Sequence, residues 1–589
     1  MTKKSRISRR SFLKKTALLN LALVLDACGG GTITSDAQNT SGTGSSGSSG
    51  TGSSGSSGTN TPSSLSYSLN PATYAVNQAI AANTPSYSGG TPSSYSVSPA
   101  LPVGLSLNTA TGVINGTPTM ATAAANYVVT AANSAGSATA TISITVNSVA
   151  STNTMYDGVI RVGTGANSNR FVNGAGNVIQ LRGGNFSGLE TTPAHFWSPG
   201  NPWGDDGGTP QWAAYAAWKP NIARIPLNVA AWLKLTCQAT AGANGSPDWS
   251  GTDLDLDPQN NYKQFVYDAV ASLQAIGCYV IFDLHWGAPK FTFASGTKYL
   301  LPAGQSAFAD YDTAIPFWQS MAQTFGTQAT PPTSSYGTIN NNGIMFELFN
   351  EPYLNQNGYT LTDAAGGGNP ITADEALKNG GWSSAFINHS QGGTNFVINQ
   401  NWRMAGYQQM LDTIRATGAQ NVCIVNGNYW TQDLTAYQTY KPTDSLNQIA
   451  FGWHPYPQYS TNPHGNYPYT TSPYQYPSCG AYQFGAGGAS PAAVTPADNI
   501  LAAGYPVICT EDGGYGGTNA TSGEPHMAFV QNWADSSGAS YIFWQWNNTR
   551  PYGTTDADNY LTAYAADGTT ILPIQGSGQV THDWMVNHS

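Results

Sequence analysis

The sequence predicts an α/β protein, a (β/α)8 barrel preceded by a small all-β sandwich. Three observations carry this expectation. From residue 157 onward, short apolar runs alternate with amphipathic stretches, the pattern of parallel strands joined by crossover helices. Eight such runs fall within about 430 residues, enough for a closed barrel with long insertions. Before them, residues 65–148 carry alternating β-branched runs at 127–131 and 138–146, with Pro and Gly turns between. A doubly wound open sheet is the competing fold. It would want a glycine-rich phosphate loop, and the sequence has none.

The elements follow in chain order. Ser8-Arg9-Arg10-Ser11-Phe12-Leu13-Lys14 resembles the twin-arginine export motif. The apolar run at 17–25 is too short to span a membrane, so residues 1–28 read as an export signal. Leu25-Asp26-Ala27-Cys28 resembles a lipobox with Cys28 as the lipid-bearing first mature residue, although Asp26 is unusual there. Residues 29–64 are almost wholly Gly, Ser and Thr. They cannot bury enough apolar surface to fold, and as a flexible tether they reach roughly 30 Å. The expected location is the cell envelope or the exterior, with any membrane contact through the lipid alone.

Only 9% of the 589 residues are charged, against roughly 25% in ordinary soluble domains. Gly, Ser, Thr, Asn and Tyr fill the gap, and such a surface suits an uncharged, hydroxyl-covered partner. A net charge of −10 argues against nucleic acid, which needs clustered Lys and Arg. Five cysteines remain if Cys28 carries lipid: Cys237, Cys278, Cys423, Cys479 and Cys509. So few, in odd number, make no disulfide framework, and no Cys or His cluster has metal-ligand spacing. No cofactor is expected, and a monomer is.

In the all-β region, residues 101–118 run Leu-Pro-Val-Gly-Leu-Ser-Leu-Asn and then Thr-Gly-Val-Ile-Asn-Gly-Thr-Pro. This stretch resembles immunoglobulin-like modules of bacterial surface proteins and polysaccharidases. The region has no Trp and no charged cluster, which favours a spacer over a glycan-binding module.

The expected barrel strands are 178–182, 222–226, 279–285, 343–351, 422–426, 449–454, 506–511 and 541–546. Helices are expected over 262–276, 311–325, 403–417 and 527–535, with the catalytic domain spanning 155–589. In such a barrel the site lies at the C-terminal ends of the strands. The runs end in Arg224-Ile225-Pro226, Asp283-Leu284-His285-Trp286, Phe349-Asn350-Glu351-Pro352, Trp453-His454-Pro455-Tyr456, Cys509-Thr510-Glu511-Asp512 and Trp544-Gln545-Trp546. A purely structural barrel has no need of polar and aromatic groups there.

Asn350-Glu351-Pro352 after an apolar strand, with Glu511 closing the seventh, resembles the glycoside hydrolase family 5 cellulases of the retaining (β/α)8 clan. The resemblance covers residues 157–550, and Arg224, His285, His454, Tyr456 and Trp544 fall in the family's order. It implies Glu351 as general acid/base and Glu511 as nucleophile. It also implies Arg224, His285, Asn350, His454, Tyr456 and Trp544 as residues around the sugar at the cleavage point. The loops at 234–258 and 353–400 are longer than in compact cellulases. The chemistry needs two carboxyls: one attacks the anomeric carbon and the other protonates the leaving oxygen, at a separation of about 5–5.5 Å. Arg224 is expected to keep Glu511 ionised.

Other acids compete. Glu347 shares strand parity with Glu351 but lies deeper, and reads as structural. Asp283 lies deeper than His285 and reads as holding a partner. Asp512 has the opposite parity to Glu511 and should point away from the axis. His285 and His454 read as hydrogen-bonding groups rather than metal ligands, and the remaining histidines as surface or packing residues. Tyr459, Tyr467, Tyr469, Tyr474, Tyr476 and Tyr482 fall in a long insertion on the catalytic face, where they can stack on sugars or pack the loop. Trp203, Trp212, Trp232, Trp286 and Trp430 are subsite candidates. The substrate reading is a β-1,4-glucan cut internally. β-Mannan, xyloglucan and β-1,3-glucan stay open, as does a surface glycan-binding protein whose barrel has lost activity.

Overall fold

The computed structural model describes residues 60–588, except 76–78, 119–121, 148–154, 191–211, 240–252, 302–305, 335, 355–358, 389–395, 456–495, 514–523 and 547–576. The export motif, Cys28, the tether, Trp203, Tyr456, Cys479 and the tyrosine-rich insertion lie outside the described residues.

The N-terminal module is all β, as expected. Strands Ala72–Ala75, Gly136–Asn147, Thr122–Asn133 and Ser94–Ser98 form one sheet in that order, and Pro62–Tyr67 pairs with Pro85–Gly89. The alternation works as read. Tyr127, Val129 and Ala131 are buried with Ile142 and Ile144 in one core, while the intervening Val128 is 39% exposed.

The barrel closes through eight parallel strands. They are β1 (Arg182–Asn185), β2 (Ile222–Asn228), β3 (Tyr279–Trp286), β4 (Ile344–Glu347), β5 (Cys423–Asn426), β6 (Ile449–Trp453), β7 (Val507–Cys509) and β8 (Ser540–Phe543). A helix stands in each connection and after β8: α1 (Trp212–Ala217), α2 (Tyr262–Ala275), α3 (Tyr311–Phe325), α4 (Tyr407–Ala416), α5 (Tyr437–Tyr440), α6 (Pro496–Ala502), α7 (Glu524–Ser537) and α8 (Ser577–Asn587). Strands of this kind are covered on both faces, which is why their sequences are continuous apolar runs. Along β3, Val280, Phe282 and Leu284 join the cluster shared with the helices, whereas Tyr279 and Ile281 join a second cluster inside the barrel. That interior is apolar at its lower end, with Ile222, Ile281, Met345, Ile424, Ile508 and Ile542. Higher up it turns polar at Arg224, Asp283, Glu347 and Asn426, all fully buried.

One expected strand is displaced. The run at 178–182 contributes only Arg182 to the barrel. Val178–Ile179 instead pairs antiparallel with Phe171–Asn173, which pairs with Ile160–Val162. Ile160, Val162, Phe171 and Ile179 join the interior cluster and so plug the lower mouth. The true first strand is Arg-Gly-Gly-Asn, a poor strand by propensity. Close packing demands its glycines. A Cβ on Gly183 would stand 1.9 Å from the Ile222 carbonyl oxygen, and one on Gly184 2.5 Å from the Phe543 ring. The helix expected over 403–417 begins at Tyr407, because Trp402–Met404 pairs as a strand with Gly381–Ser383 and Gly406 caps the helix.

Cys237, Cys278, Cys423 and Cys509 are buried free thiols. Burial pushes all four upward in pKa, which keeps them protonated and unreactive.

The glycine contact is testable. Gly183→Ala should lower unfolding stability by about 1–3 kcal/mol, the usual cost of forcing atoms into a packed core. An unchanged denaturation midpoint would show that β1 does not need to approach β2 this closely.

Candidate active site

Polar residues meet where the upper barrel interior opens. Arg224, the third residue of β2, is fully buried, and its guanidinium is surrounded. Nε donates to Glu347 Oε2 (2.5 Å). Nη1 donates to Glu511 Oε1 (2.6 Å) and Asn185 Oδ1 (2.9 Å), and Nη2 donates to Asn350 Oδ1 (2.6 Å). Nη2 also lies 3.0 Å from Asp283 Oδ2. Burial works against this charge, but Asp283, Glu347 and Glu511 together hold its pKa well above the ordinary value.

The acids play different parts. Glu347 ends β4 and is satisfied within the barrel: besides Arg224, it accepts from Asn426 Nδ2 (2.7 Å) and Thr510 Oγ1 (2.9 Å). This supports its structural reading. Asp283 lies 2.6 Å from His285 Nδ1, so it does hold a partner. Burial pushes its pKa well above the carboxylate range. Asp512 Oδ2 accepts from the hydroxyl of Tyr541, a residue on the helix-facing side of β8, so Asp512 does point off the axis. The parity argument fails for Glu351 itself. β4 ends at Glu347, and both Leu348 and Phe349 turn into the helix-facing core, so Glu351 reaches the mouth from a loop.

Glu351 and Glu511 face each other there, both buried, at 8% and 4% exposure. One carboxyl oxygen of each lies within 4.8 Å of the other and of a His454 nitrogen. His454 Nδ1 is 2.8 Å from Glu351 Oε1 and 3.7 Å from Glu511 Oε2, and Nε2 is 3.0 Å from Thr510 Oγ1. Burial lowers the His454 pKa to about 4, which leaves the ring neutral near pH 7. Three donor atoms this close have the spacing of a metal site. Both ring nitrogens of His454 are already engaged, however, so an ion would have to displace Glu351 or Thr510 from the imidazole.

Arg224 does pull Glu511 down as expected, but not far enough to prevail. Burial pushes the Glu511 pKa up, and the opposing pull of His454 and Arg224 is weaker. The neighbouring Glu351 carboxyl adds to the rise.

His285 is also buried, and burial lowers its pKa. Its ring lies nearly parallel to Trp544, 5.6 Å between centroids, and its Nε2 is 3.4 Å from Asn350 Nδ2. The structure thus gathers Arg224, His285, Asn350, Glu351, His454, Glu511 and Trp544, while Tyr456 lies outside the described residues. Among the tryptophan candidates, Trp232 is excluded: it is buried in the helix layer and donates to Ser320. Trp430 stacks on Tyr353 at 4.2 Å, and its backbone N–H donates to the Pro352 carbonyl. Tyr429, Trp430 and Thr431 all adopt positive φ, a conformation that is strained for such residues. Thr431 Oγ1 donates to the Asn350 carbonyl (2.7 Å), so this turn braces the Glu351 loop from below.

Sequence reading missed Asn185, Asn426, Thr510, Thr431 and Glu190. Asn185 and Asn426 close β1 and β5; the strand-end rule already reached Asn426 at the end of 422–426 and would have found Asn185 once β1 was placed correctly. Glu190 carries no such signal. It is a buried acid bound by Ser187 Oγ and the Gly188 N–H, and its charge acts on His285.

The His454 shift sets a pH dependence. A neutral buried imidazole favours the folded state above the unfolded pKa near 6.5, and that stability is lost as pH falls toward about 4. Unfolding free energy should drop by about 3 kcal/mol between pH 7 and pH 4 from this group, a slope that His454→Gln should flatten. Parallel pH profiles of chemical denaturation for the two proteins would disprove it.

A search of curated proteins finds no match. Among solved structures, an endo-β-1,4-glucanase from Xanthomonas axonopodis pv. citri is 16% identical, with a TM-score of 0.37 over 69% of this chain and 99% of that one. The catalytic domain of alkaline cellulase K is 16% identical, with a TM-score of 0.41 over 74% and 96%. An Ig-domain family model matches residues 58–147. The model of the cellulase family, glycosyl hydrolase family 5, matches residues 172–550, well over half of the chain. With the closed barrel and the residues at its mouth, this match places the protein in glycosyl hydrolase family 5.

Proposed function

We propose that the protein is a retaining endo-β-1,4-glucanase in which Glu511 attacks the anomeric carbon and Glu351 serves as acid and then base. The observation that carries this reading is the separation of the two carboxyls, within 4.8 Å. That leaves room for a sugar carbon between them and none for an attacking water, which an inverting pair needs about 6.5–9.5 Å to hold.

Hydrogen-bond accounting supports the division of roles. The Thr510 hydroxyl has one proton and donates it to Glu347. It can therefore only accept from His454, so Nε2 carries the ring proton. A neutral ring then has a bare Nδ1, and the 2.8 Å contact with Glu351 requires the proton to lie on the carboxyl. Glu351 is thus held protonated, as an acid must be before cleavage. Glu511, bonded to Arg224, has the cation needed by an attacking carboxylate. Asn350 has its amide oxygen held by Arg224 and its nitrogen near His285, a placement that suits the 2-hydroxyl of the sugar. The motif at residues 8–14 and Cys28 support export by the twin-arginine route and a lipid anchor.

Glu351→Ala and Glu511→Ala should both abolish hydrolysis of carboxymethyl cellulose. Azide should restore turnover to the first on dinitrophenyl β-cellobioside and give a β-glycosyl azide. From the second it should give the α-azide. The reverse pattern would mean that the roles are exchanged. Reducing-end release from mannan or β-1,3-glucan but not from a β-1,4-glucan would overturn the substrate reading. Thr510→Val tests the proton accounting. It should cost at least about tenfold in kcat on cellotetraose and far less on the dinitrophenyl substrate, whose leaving group needs no proton. Equal losses on the two would disconnect Thr510 from the acid.

A further inference from the structure

A second concavity lies beside the site on the catalytic face. Its volume is about 580 Å³, within the range of roughly 300–1,000 Å³ usual for ligand pockets. Two insertions that a barrel does not require build it: strand Lys290–Phe293, just after β3, and, between β4 and α4, strands Gly381–Ser383 and Trp402–Met404 with the residues beside them, Ser384 and 399–401. Both are connections that leave strand C-termini, so both belong to the catalytic face. The pocket is braced. Asp310 pairs with Met404 and accepts from the Trp402 indole (3.1 Å), and the Ala405 N–H donates to the Ala309 carbonyl (2.9 Å). The Tyr353 N–H donates to the Ala307 carbonyl, which ties the same wall to the loop that carries Glu351. On the other side, Lys290 lies five positions after His285, a span of at most about 18 Å.

The chemistry of the lining selects its occupant. Its cations are engaged: Lys290 Nζ lies 3.0 Å from Asp312, and the Arg403 guanidinium lies 3.4 Å over the Tyr311 ring and 5.6 Å from that of Trp382. An anionic ligand would have to break these contacts. What remains toward solvent is a set of hydroxyls and amides, Thr292, Ser384, Asn399 and Asn401, all exposed, with the partly buried Trp382 ring among them. Amides and hydroxyls match the alternating donors and acceptors of sugar hydroxyls, and an indole matches the apolar face of a pyranose.

We infer that this pocket is an accessory glycan subsite, which holds a neutral oligosaccharide segment of the bound polymer a few sugar units from the cleaved bond. The inference rests on the hydrolase reading above. It makes the insertions of the third and fourth connections a chain-length sensor, since only a substrate long enough to leave the cleft reaches the pocket.

The test compares dinitrophenyl β-cellobioside, too short to reach the pocket, with cellohexaose. Ser384→Trp fills the cavity, and Asn399→Ala/Asn401→Ala removes two amides without adding bulk. Both variants should turn over the short substrate within about twofold of the parent and lose roughly tenfold in kcat/KM on cellohexaose, the scale of one or two lost polar contacts. Unchanged cellohexaose kinetics, or equal losses on both substrates, would overturn the subsite. If the parent protein hydrolyses neither probe, the function reading fails, and calorimetric titration of cellohexaose decides the pocket separately. Binding heat that Ser384→Trp abolishes supports it, and no binding overturns it.

Discussion

Arg224 is a cation with no solvent contact, placed inside a barrel, and the architecture of the mouth follows from satisfying it. A buried guanidinium without partners is costly, and removing one partner of a buried ion pair typically destabilises by about 3–5 kcal/mol. Here five side chains share the load: Asn185, Asp283, Glu347, Asn350 and Glu511. They come from β1, β3, β4, the loop after β4 and the loop after β7. A single side chain on β2 thereby fixes the relative positions of most of the barrel's upper rim, including Glu511 and the asparagine beside Glu351.

The same network fixes protonation. Asp283, Glu347, Glu351 and Glu511 surround one guanidinium and two imidazoles whose pKa values burial lowers. Four ionised carboxylates against one cation would repel strongly at low dielectric, so part of the set must keep protons. Burial raises Asp283 well above the carboxylate range, and the Thr510 hydroxyl, which donates to Glu347, is left to accept from His454 Nε2. Glu347, Thr510, His454 and Glu351 thus form one continuous chain of hydrogen bonds. Glu347, four residues before Glu351, is thereby coupled to it without touching it.

Much of this was legible in sequence because a parallel barrel writes itself plainly. Buried strands read as apolar runs, and polar residues at their ends stand out against them. Arg224, His285, Asn350, Glu351, His454, Glu511 and Trp544 were found in this way. β1 was misplaced because Gly183 and Gly184 carry no apolar signal. Their reason for being there, contact with Ile222 and Phe543, exists only in three dimensions. Asn185 was lost with the strand. Glu351 reaches the mouth as the resemblance implied, but not by the strand parity it was read to share with Glu347, because the chain leaves β-geometry after Glu347. The pocket formed by the two insertions was beyond reach, since nothing in the spacing of Lys290 and Asn401 says that they share a wall.

The barrel interior divides into two regimes along its axis. The lower end is filled by branched aliphatics and plugged by the short antiparallel sheet, and this apolar packing supplies a stable base. The upper end gives up that packing for charges that must be satisfied together or not at all. The strain at Tyr429, Trp430 and Thr431 lies on this upper side, where the turn presses against the Asn350 carbonyl and the Pro352 carbonyl. Three residues at positive φ would not persist at a site with freedom to relax. They persist here because Trp430 is stacked on Tyr353 and Thr431 is bonded to both the Glu351 loop and His454. The rigid lower core therefore lets the mouth hold backbone strain and unbalanced charge in one geometry, with one oxygen of Glu351 within 4.8 Å of one of Glu511.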